Sequence, residues 1–153
     1  MFYQKTVKYF LIFSFLSFLL FSNSLKAEIK VDKEWARITP SGAGSVYMKI
    51  INTGNSDDKL ISASSDKAGM VMIHRSIREG NISKMIHIHD GITIPSNSSV
   101  DLKPGDYHIM LMNLDKNLSH GDKISVVLNF EKNDSLEIMP VAKLRPPKMH
   151  THK

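Results

Sequence analysis

Hydrophobic and polar side chains alternate in short segments from residue 29 to residue 141, and turn-forming residues separate these segments. Alternation with a period of two is typical of β-strands that have one buried face, and no helical periodicity extends beyond a turn or two. The pattern predicts strands over Ile29–Val31, Glu34–Ile38, Ser45–Asn52, Lys59–Ser65, Met70–Ile77, Ile82–His89, Ser99–Leu102, Tyr107–Asn113, Lys123–Glu131 and Leu136–Val141.

Polar turns between short strands favour a single all-β domain, built as an antiparallel sandwich or barrel. The clearest hairpin pairs Arg75–Ile77 with Ile82–Lys84 across the turn Arg78–Asn81. This hairpin is predicted to bring His74 and Met85 onto neighbouring strands.

The two ends of the chain differ in composition from this domain. Lys5 and Lys8 precede an apolar run over Phe10–Phe21, which is short for a membrane span and fits a secretory signal peptide. We expect cleavage after Ala27, export to the periplasm and no stable membrane insertion afterwards, with an uncleaved N-terminal anchor as the alternative. The predicted organisation is a signal peptide over residues 1–27, a β domain over 28–142 and a flexible basic tail over 143–153.

Charge and cysteine content exclude several classes of site. The 153 residues carry a formal charge of +5, which falls to +2 without residues 1–27 because that segment holds three lysines and no acidic residue. A charge this small and dispersed argues against a nucleic-acid partner. The sequence contains no cysteine, so it can form neither a blue-copper or dithiolate copper site nor an iron–sulfur cluster, and it offers no cysteine for a lipid anchor.

Methionine and histidine are concentrated in three of the predicted strands. Nine of the sixteen Met and His residues fall in the runs Met70–His74, Met85–His89 and His108–Met112, where they alternate with Val, Ile or Leu. Successive strand residues point to opposite faces, so each run places aliphatic groups on one face and thioethers and imidazoles on the other. A single such Met or His is more often a packing residue, but three strands with the same pattern favour a site. Thioethers and imidazoles together suit Cu(I), which makes copper binding the first hypothesis.

The spacing of these residues resembles that of a known family, the periplasmic copper chaperones of the PCuAC type. His74 is followed by ten residues and Met85, and the third run supplies the His-x-Met motif His108–Met110. The segments Gly91–Pro95 and Val100–Met112 are similar to the family's signature segment. The likeness extends from about residue 35 to about residue 141, nearly the whole of the predicted domain.

The spacing departs from the family pattern at one point. The family has about twenty-one residues between its Met and its His-x-Met motif, whereas twenty-two separate Met85 from His108. A β-bulge within Ile86–Asp90 would absorb the extra residue. If the strand shifts instead, its faces exchange, and His87 is then the natural substitute for Met85.

The resemblance implies a cupredoxin-like antiparallel Greek-key β-sandwich that binds Cu(I) through His74, Met85, His108 and Met110. It also implies a chaperone rather than an enzyme. The recipient would be a copper protein, either the copper subunit that holds the dinuclear centre of cytochrome c oxidase or a thiol-bearing assembly factor. The alternatives are a copper-dependent envelope enzyme, a copper storage or resistance protein, and an interaction module that binds no metal.

Eight Met and His residues are candidates for weaker roles. Met70, Met72 and Met112 are interpreted as packing that keeps water away from the metal. His87 and His89 are either an additional site or solvent-facing histidines. Short His/Met tracts at a chain end suggest metal capture, so the tail is a candidate Cu(II) site through Met149, His150 and His152.

Overall fold

The structure, a computed structural model, describes residues 28–143. The predicted signal peptide and the tail residues Met149, His150 and His152 lie outside the described residues. Within residues 28–143 all regular elements are β-strands, and no helix is long and apolar enough to cross a membrane. The strands are β1 Ile29–Ile38, β2 Ala43–Asn52, β3 Asp58–Ser64, β4 Ala68–Glu79, β5 Ile82–His87, β6 Ile92–Ile94, β7 Ser98–Leu102, β8 Tyr107–Leu114, β9 Val126–Phe130, β10 Leu136–Ile138 and β11 Val141–Lys143.

The strands form two sheets that enclose one hydrophobic core. The larger sheet has the order β11-β1-β2-β8-β4-β5, with β7 also paired to β2, and the smaller has the order β10-β9-β3-β6. All paired neighbours are antiparallel except β1 and β11, which are parallel. The core is made of aliphatic side chains from both sheets, among them Ile50, Leu60, Ile109, Leu111, Val126 and Leu128. The predicted all-β sandwich is confirmed.

Several strand boundaries differ from the sequence prediction for local reasons. The first two predicted strands are one strand, β1, whose register shifts between Asp32 and Trp35 where Lys33 has a φ of 57°. The last predicted strand is divided at Pro140, which has no N–H to donate to a ladder, so β10 lies in one sheet and β11 in the other. Strand β11 pairs with β1 as far as Lys143, the last of the described residues.

Strand β6 was not predicted because it is only three residues long. Its position depends on Gly91, which precedes it with a φ of 76°. A Cβ atom at this position would lie 2.5 Å from the carbonyl oxygen of Leu60. Glycine therefore allows the close approach at which Ile92 pairs with Leu60 on β3.

The hairpin of β4 and β5 is present, but its turn is shorter than predicted. Glu79 still pairs with Ile82, which leaves Gly80 and Asn81 as a two-residue turn. Gly80 has a φ of 61°, as the first central position of a tight hairpin turn requires. The ladder then continues in uninterrupted register to His74, whose partner is His87. No bulge interrupts the ladder between Ile82 and His87.

Asp58 is a buried carboxylate that connects the start of β3 to the turn after β9. Its Oδ1 accepts hydrogen bonds from the backbone N–H groups of Lys59 (2.7 Å) and Lys132 (2.9 Å). Its Oδ2 accepts from the backbone N–H of Asn133 (3.2 Å) and from the side-chain Nδ2 of Asn133 (2.6 Å). Burial alone would raise the pKa of Asp58, but these four hydrogen bonds outweigh it and hold the pKa below its ordinary value.

Candidate metal centre

Strands β4, β5 and β8 bring the three Met/His runs side by side on the outer face of the larger sheet. Met70 pairs with Met112, Met72 with Met110, and His74 with both His108 and His87. Directly opposed residues of an antiparallel ladder share a face. The alternate residues Ile73, Ile109 and Leu111 are buried against the smaller sheet. On β4 and β8 the alternation thus separates core side chains from a thioether and imidazole face.

Three histidine rings form a row across this face. The ring centroids of His74 and His108 lie 5.9 Å apart with an interplanar angle of 74°. Those of His74 and His87 lie 5.3 Å apart at 81°, again edge to face. His89 follows the end of β5, and its ring centroid lies 4.0 Å from the ring centroid of His87. The row therefore runs from the buried interior strand β8 to the exposed edge strand β5.

Two ring nitrogens in this row are buried and have no hydrogen-bond partner. His108, only 2% exposed, donates from Nδ1 to the carbonyl oxygen of Asp106 at 2.9 Å. A carbonyl can only accept, so Nδ1 carries a proton, and in the neutral ring the lone pair is then on Nε2. Nε2 of His108 and Nδ1 of His74 are the two buried side-chain nitrogens without a partner among the described residues. Buried polar atoms are rarely left unpaired, and an absent ion is one explanation when they are.

Met110 lies beside the two buried rings. It is two residues from His108 on β8, directly opposite Met72, and is half-buried. The hydroxyl of Ser45 on β2 approaches its Sδ at 3.9 Å. Of the four predicted ligands, His74, His108 and Met110 are therefore neighbours on one patch of sheet.

Met85 is further away and more exposed. It pairs with Ser76, two residue pairs along the ladder from the pair of His74 with His87, and is 54% exposed. All six residues of β5 are exposed, as expected for an edge strand. Met85 and His87 are two residues apart and so share the face of His74. Both can therefore contribute a ligand, and His87 is the one directly opposite His74.

The donors gathered on this face are nitrogen and sulfur ligands rather than oxygen ligands. Within residues 28–143, no group of three His, Asp or Glu side chains lies close enough together to hold a metal ion. The patch instead combines neutral imidazole nitrogens with thioether sulfurs. Such donors suit a soft ion such as Cu(I) better than Mg²⁺ or Ca²⁺, which take oxygen ligands.

Comparison with known proteins identifies the family. A family model described as "Putative lipoprotein LpqE-like" matches residues 29–141, which is almost all of the described domain. The chain belongs to the LpqE-like family. It is similar to the protein RP573 of Rickettsia prowazekii, with 34% identity over 113 residues that cover 71% of this chain and 62% of that protein. It is also similar to the lipoprotein Lxx21020 of Leifsonia xyli subsp. xyli, with 33% identity over 102 residues, 67% of this chain and 61% of that protein. The LpqE-like chain thus spans about three fifths of the length of these relatives.

Solved structures confirm the predicted resemblance to the PCuAC type. The copper-bound PCuAC domain from PmoF2 has a TM-score of 0.63 and 25% identity, covering 76% of this chain and 93% of that domain. The solution structure of CuI-DR1885 from Deinococcus radiodurans has a TM-score of 0.60 and 23% identity, covering 79% of this chain and 83% of that protein. The cupredoxin-like sandwich of this LpqE-like protein is therefore a fold shared with PCuAC domains.

Side chains around the buried rings were not singled out from the sequence. Tyr47 on β2 has its ring centroid 6.2 Å from that of His108, and Trp35 lies 4.6 Å beyond it. The backbone carbonyl of Asp106 accepts the hydrogen bond from Nδ1 of His108. The side-chain carboxylate of Asp106 accepts a hydrogen bond from Nε of Arg75 at 2.9 Å. In the sequence, the feature that could have indicated Asp106 is the turn motif that ends at this residue, two residues before His108.

The structure predicts a titration for His74 that can be measured without metal. Burial, together with the neighbouring His108 and His87 rings, holds the pKa of His74 below its ordinary value of 6.5. The unfolded chain therefore takes up this proton first, so the His74 contribution to stability is present above pH 6.5 and is lost as the pH falls below it. We expect ring resonances of His74 in the apo protein to titrate with a midpoint below 6.5 in NMR spectra. A midpoint at or above 6.5 would contradict the buried, neutral ring.

Proposed function

We propose that this LpqE-like protein is a periplasmic chaperone that binds one Cu(I) ion and passes it to a copper protein. The ligands are His74, His108 and Met110, with Met85 or His87 as the fourth. The observation that carries the proposal is the pair of buried, unpartnered ring nitrogens, Nε2 of His108 and Nδ1 of His74. A Cu(I) ion bound at both atoms would satisfy them, whereas packing alone leaves them unpaired.

The donor set fits a carrier of Cu(I) better than a catalyst. Thioethers and neutral imidazoles favour Cu(I), whereas Zn²⁺ is held by Cys, His, Asp and Glu. The exposed edge strand β5 gives an incoming ligand access to one side of the site, as delivery by ligand exchange requires. We therefore assign binding and delivery rather than catalysis.

The direction of transfer follows from ligand softness. Cysteine thiolates are negatively charged and bind Cu(I) more strongly than neutral thioethers. Transfer of Cu(I) from His and Met ligands to a site with thiolate ligands is therefore favourable in free energy. Two recipients of copper fit this direction of transfer. One is the dinuclear copper centre of cytochrome c oxidase, in its copper subunit, and the other is a thiol-bearing assembly factor.

The relatives support export and copper binding. The family and the Leifsonia relative are described as lipoproteins, and the PmoF2 and DR1885 structures contain copper. We propose that export uses the predicted signal peptide, residues 1–27. The tail residues Met149, His150 and His152 remain a proposed capture site for Cu(II).

An anaerobic transfer experiment tests the proposal. Residues 28–153 loaded with one equivalent of Cu(I) are mixed with the metal-free soluble domain of an oxidase copper subunit. The two proteins are then separated and their copper is measured. We expect most of the copper on the recipient. Cu(I) binding weaker than micromolar, or copper that stays with the donor in excess recipient, would contradict the proposal.

The same proposal predicts a phenotype in cells. The double variant His74→Ala, Met110→Ala should lose oxidase activity under copper-limited growth, and added copper should restore it. His120→Ala is the matched control, since His120 is exposed and lies on the loop before β9 rather than on the Met/His face. Normal oxidase activity in the double variant would favour an interaction module that binds no metal.

A further inference from the structure

Two methionines on the outer face of the larger sheet are more exposed than packing residues should be. Met70 is 49% exposed and Met112 is 38% exposed. The sequence alone suggested that both shield the metal from water. Yet both lie at the far end of the Met/His face, four residue pairs along the ladder from the row of histidines. Neither the core nor the proposed copper ligands therefore account for their position.

The register places four thioethers in two successive cross-strand pairs. Met70 is directly opposite Met112, and Met72 is directly opposite Met110. Opposed Cβ atoms lie about 5 Å apart and diagonal neighbours about 7–8 Å apart. A methionine side chain has three rotatable bonds and no branch, so sulfurs at these spacings can converge on one point. Met110 is already a proposed ligand of the histidine centre, which leaves Met70, Met72 and Met112 as a set of three.

We propose that Met70, Met72 and Met112 form a second Cu(I) site, made of thioethers alone. Three neutral sulfur donors select a soft d¹⁰ ion and offer nothing to a hard one. With no imidazole and with two exposed ligands, the site binds more weakly than the histidine centre and exchanges faster. Met72 lies opposite Met110, so the two sites adjoin. The methionine site can therefore receive an ion from solution and release it to the histidine centre by exchange of one sulfur ligand.

This second site goes beyond the proposed chaperone function and does not require it. Its three ligands are all separate from His74 and His108. Loss of the histidine centre should therefore leave the methionine site able to bind, and loss of the methionine site should leave the histidine centre able to bind. The two proposals fail independently of each other.

Methyl NMR can follow each methionine separately during a titration. Residues 28–153 are labelled with ¹³C at the methionine methyl groups and titrated anaerobically with Ag(I), a soft d¹⁰ ion that is not readily oxidised. We expect the first equivalent of Ag(I) to bind at the histidine centre. The methyl signals of Met70, Met72 and Met112 should shift only when a further equivalent of Ag(I) is added. The methyl signal of Met139, which is 43% exposed on another part of the surface, should not shift with them.

Variants separate the two sites. Met70→Leu with Met112→Leu should abolish the later shift of Met72 and leave the first equivalent bound, since Met and Leu have similar volumes. Met139→Leu is the matched control and should change neither. In His74→Asn with His108→Asn, the shifts of the three methionines should persist.

Two outcomes would overturn the second site. In the first, the three methyl signals stay fixed up to a several-fold excess of Ag(I), so that these residues are only shielding. In the second, they shift together with the first equivalent and lose that response in the His74→Asn, His108→Asn variant. The methionines would then belong to the histidine centre.

Discussion

Replacing His108 by asparagine is expected to weaken Cu(I) binding by about 100-fold or more while the fold is retained. The amide nitrogen of asparagine can take the place of Nδ1 and still donate to the Asp106 carbonyl, the 2.9 Å contact that orients the ring. The variant loses only Nε2, the buried atom without a partner. Removing even a partner of a metal ligand typically costs about 10- to 100-fold in affinity, so removing the ligand should cost at least as much.

Anaerobic competition against a chromogenic Cu(I) chelator measures this loss. The matched control is His120→Asn, the same substitution at an exposed histidine away from the Met/His face. Urea unfolding of both variants without metal checks that stability is retained. If His108→Asn binds Cu(I) as tightly as His120→Asn, then His108 is a packing residue and the centre is placed wrongly.

The same assay identifies the fourth ligand. His87 pairs with His74, whereas Met85 pairs with Ser76, and both lie on the exposed edge strand. His87→Asn and Met85→Leu change one donor each at surface positions where little packing is lost. The variant with the larger loss of affinity marks the ligand.

The two-faced character of the Met/His runs could be predicted from alternation alone. A strand must place Ile73 and His74 on opposite faces, and the same holds for Ile109 and Met110. The aliphatic residue of each pair then goes to the core because burial is favourable. Strands β4 and β8, which lie inside the sheet, follow this rule, whereas β5 has both faces exposed.

The exact pairing across the β4–β5 hairpin could not be predicted, because it depends on the length of the turn. A four-residue turn over Arg78–Asn81 would place Met85 opposite His74. The observed two-residue turn places His87 there. The shift of two residues keeps every side chain on its face, so the hydrophobic pattern is the same for both registers. The difference is caused by Gly80, whose positive φ permits the tighter turn.

The sequence also could not predict which ring nitrogens of the centre lack a hydrogen-bond partner. In the neutral ring of His108 the lone pair is on Nε2, because Nδ1 donates to a backbone carbonyl, that of Asp106. This carbonyl is fixed in turn by the backbone N–H of Ser76 on the neighbouring strand, at 3.1 Å. A backbone acceptor of this kind has no side-chain signature. It becomes visible only when the ladder between β4 and β8 is known.

Replacing Asp58 by asparagine is expected to lower the free energy of unfolding by about 3 kcal/mol at neutral pH. Each carboxylate oxygen of Asp58 accepts two hydrogen bonds. Asparagine keeps one acceptor but points an NH₂ group at the two donors of Asn133. Buried donors that face another donor lose their hydrogen bonds and cannot regain them from water.

The acid dependence of stability gives this prediction a second measurement. The folded pKa of Asp58 lies below its ordinary value of 3.8. Its contribution to stability is therefore present above pH 3.8 and is lost as the pH falls through the folded pKa. Urea unfolding at neutral pH and near pH 3 should show this loss in the wild type and a smaller loss in Asp58→Asn. Asp66→Asn is the matched control, because Asp66 is exposed and makes only a surface ion pair with Lys67 at 3.7 Å. Equal stability of the two variants would mean that the hydrogen bonds of Asp58 add little to the connection between β3 and the turn after β9.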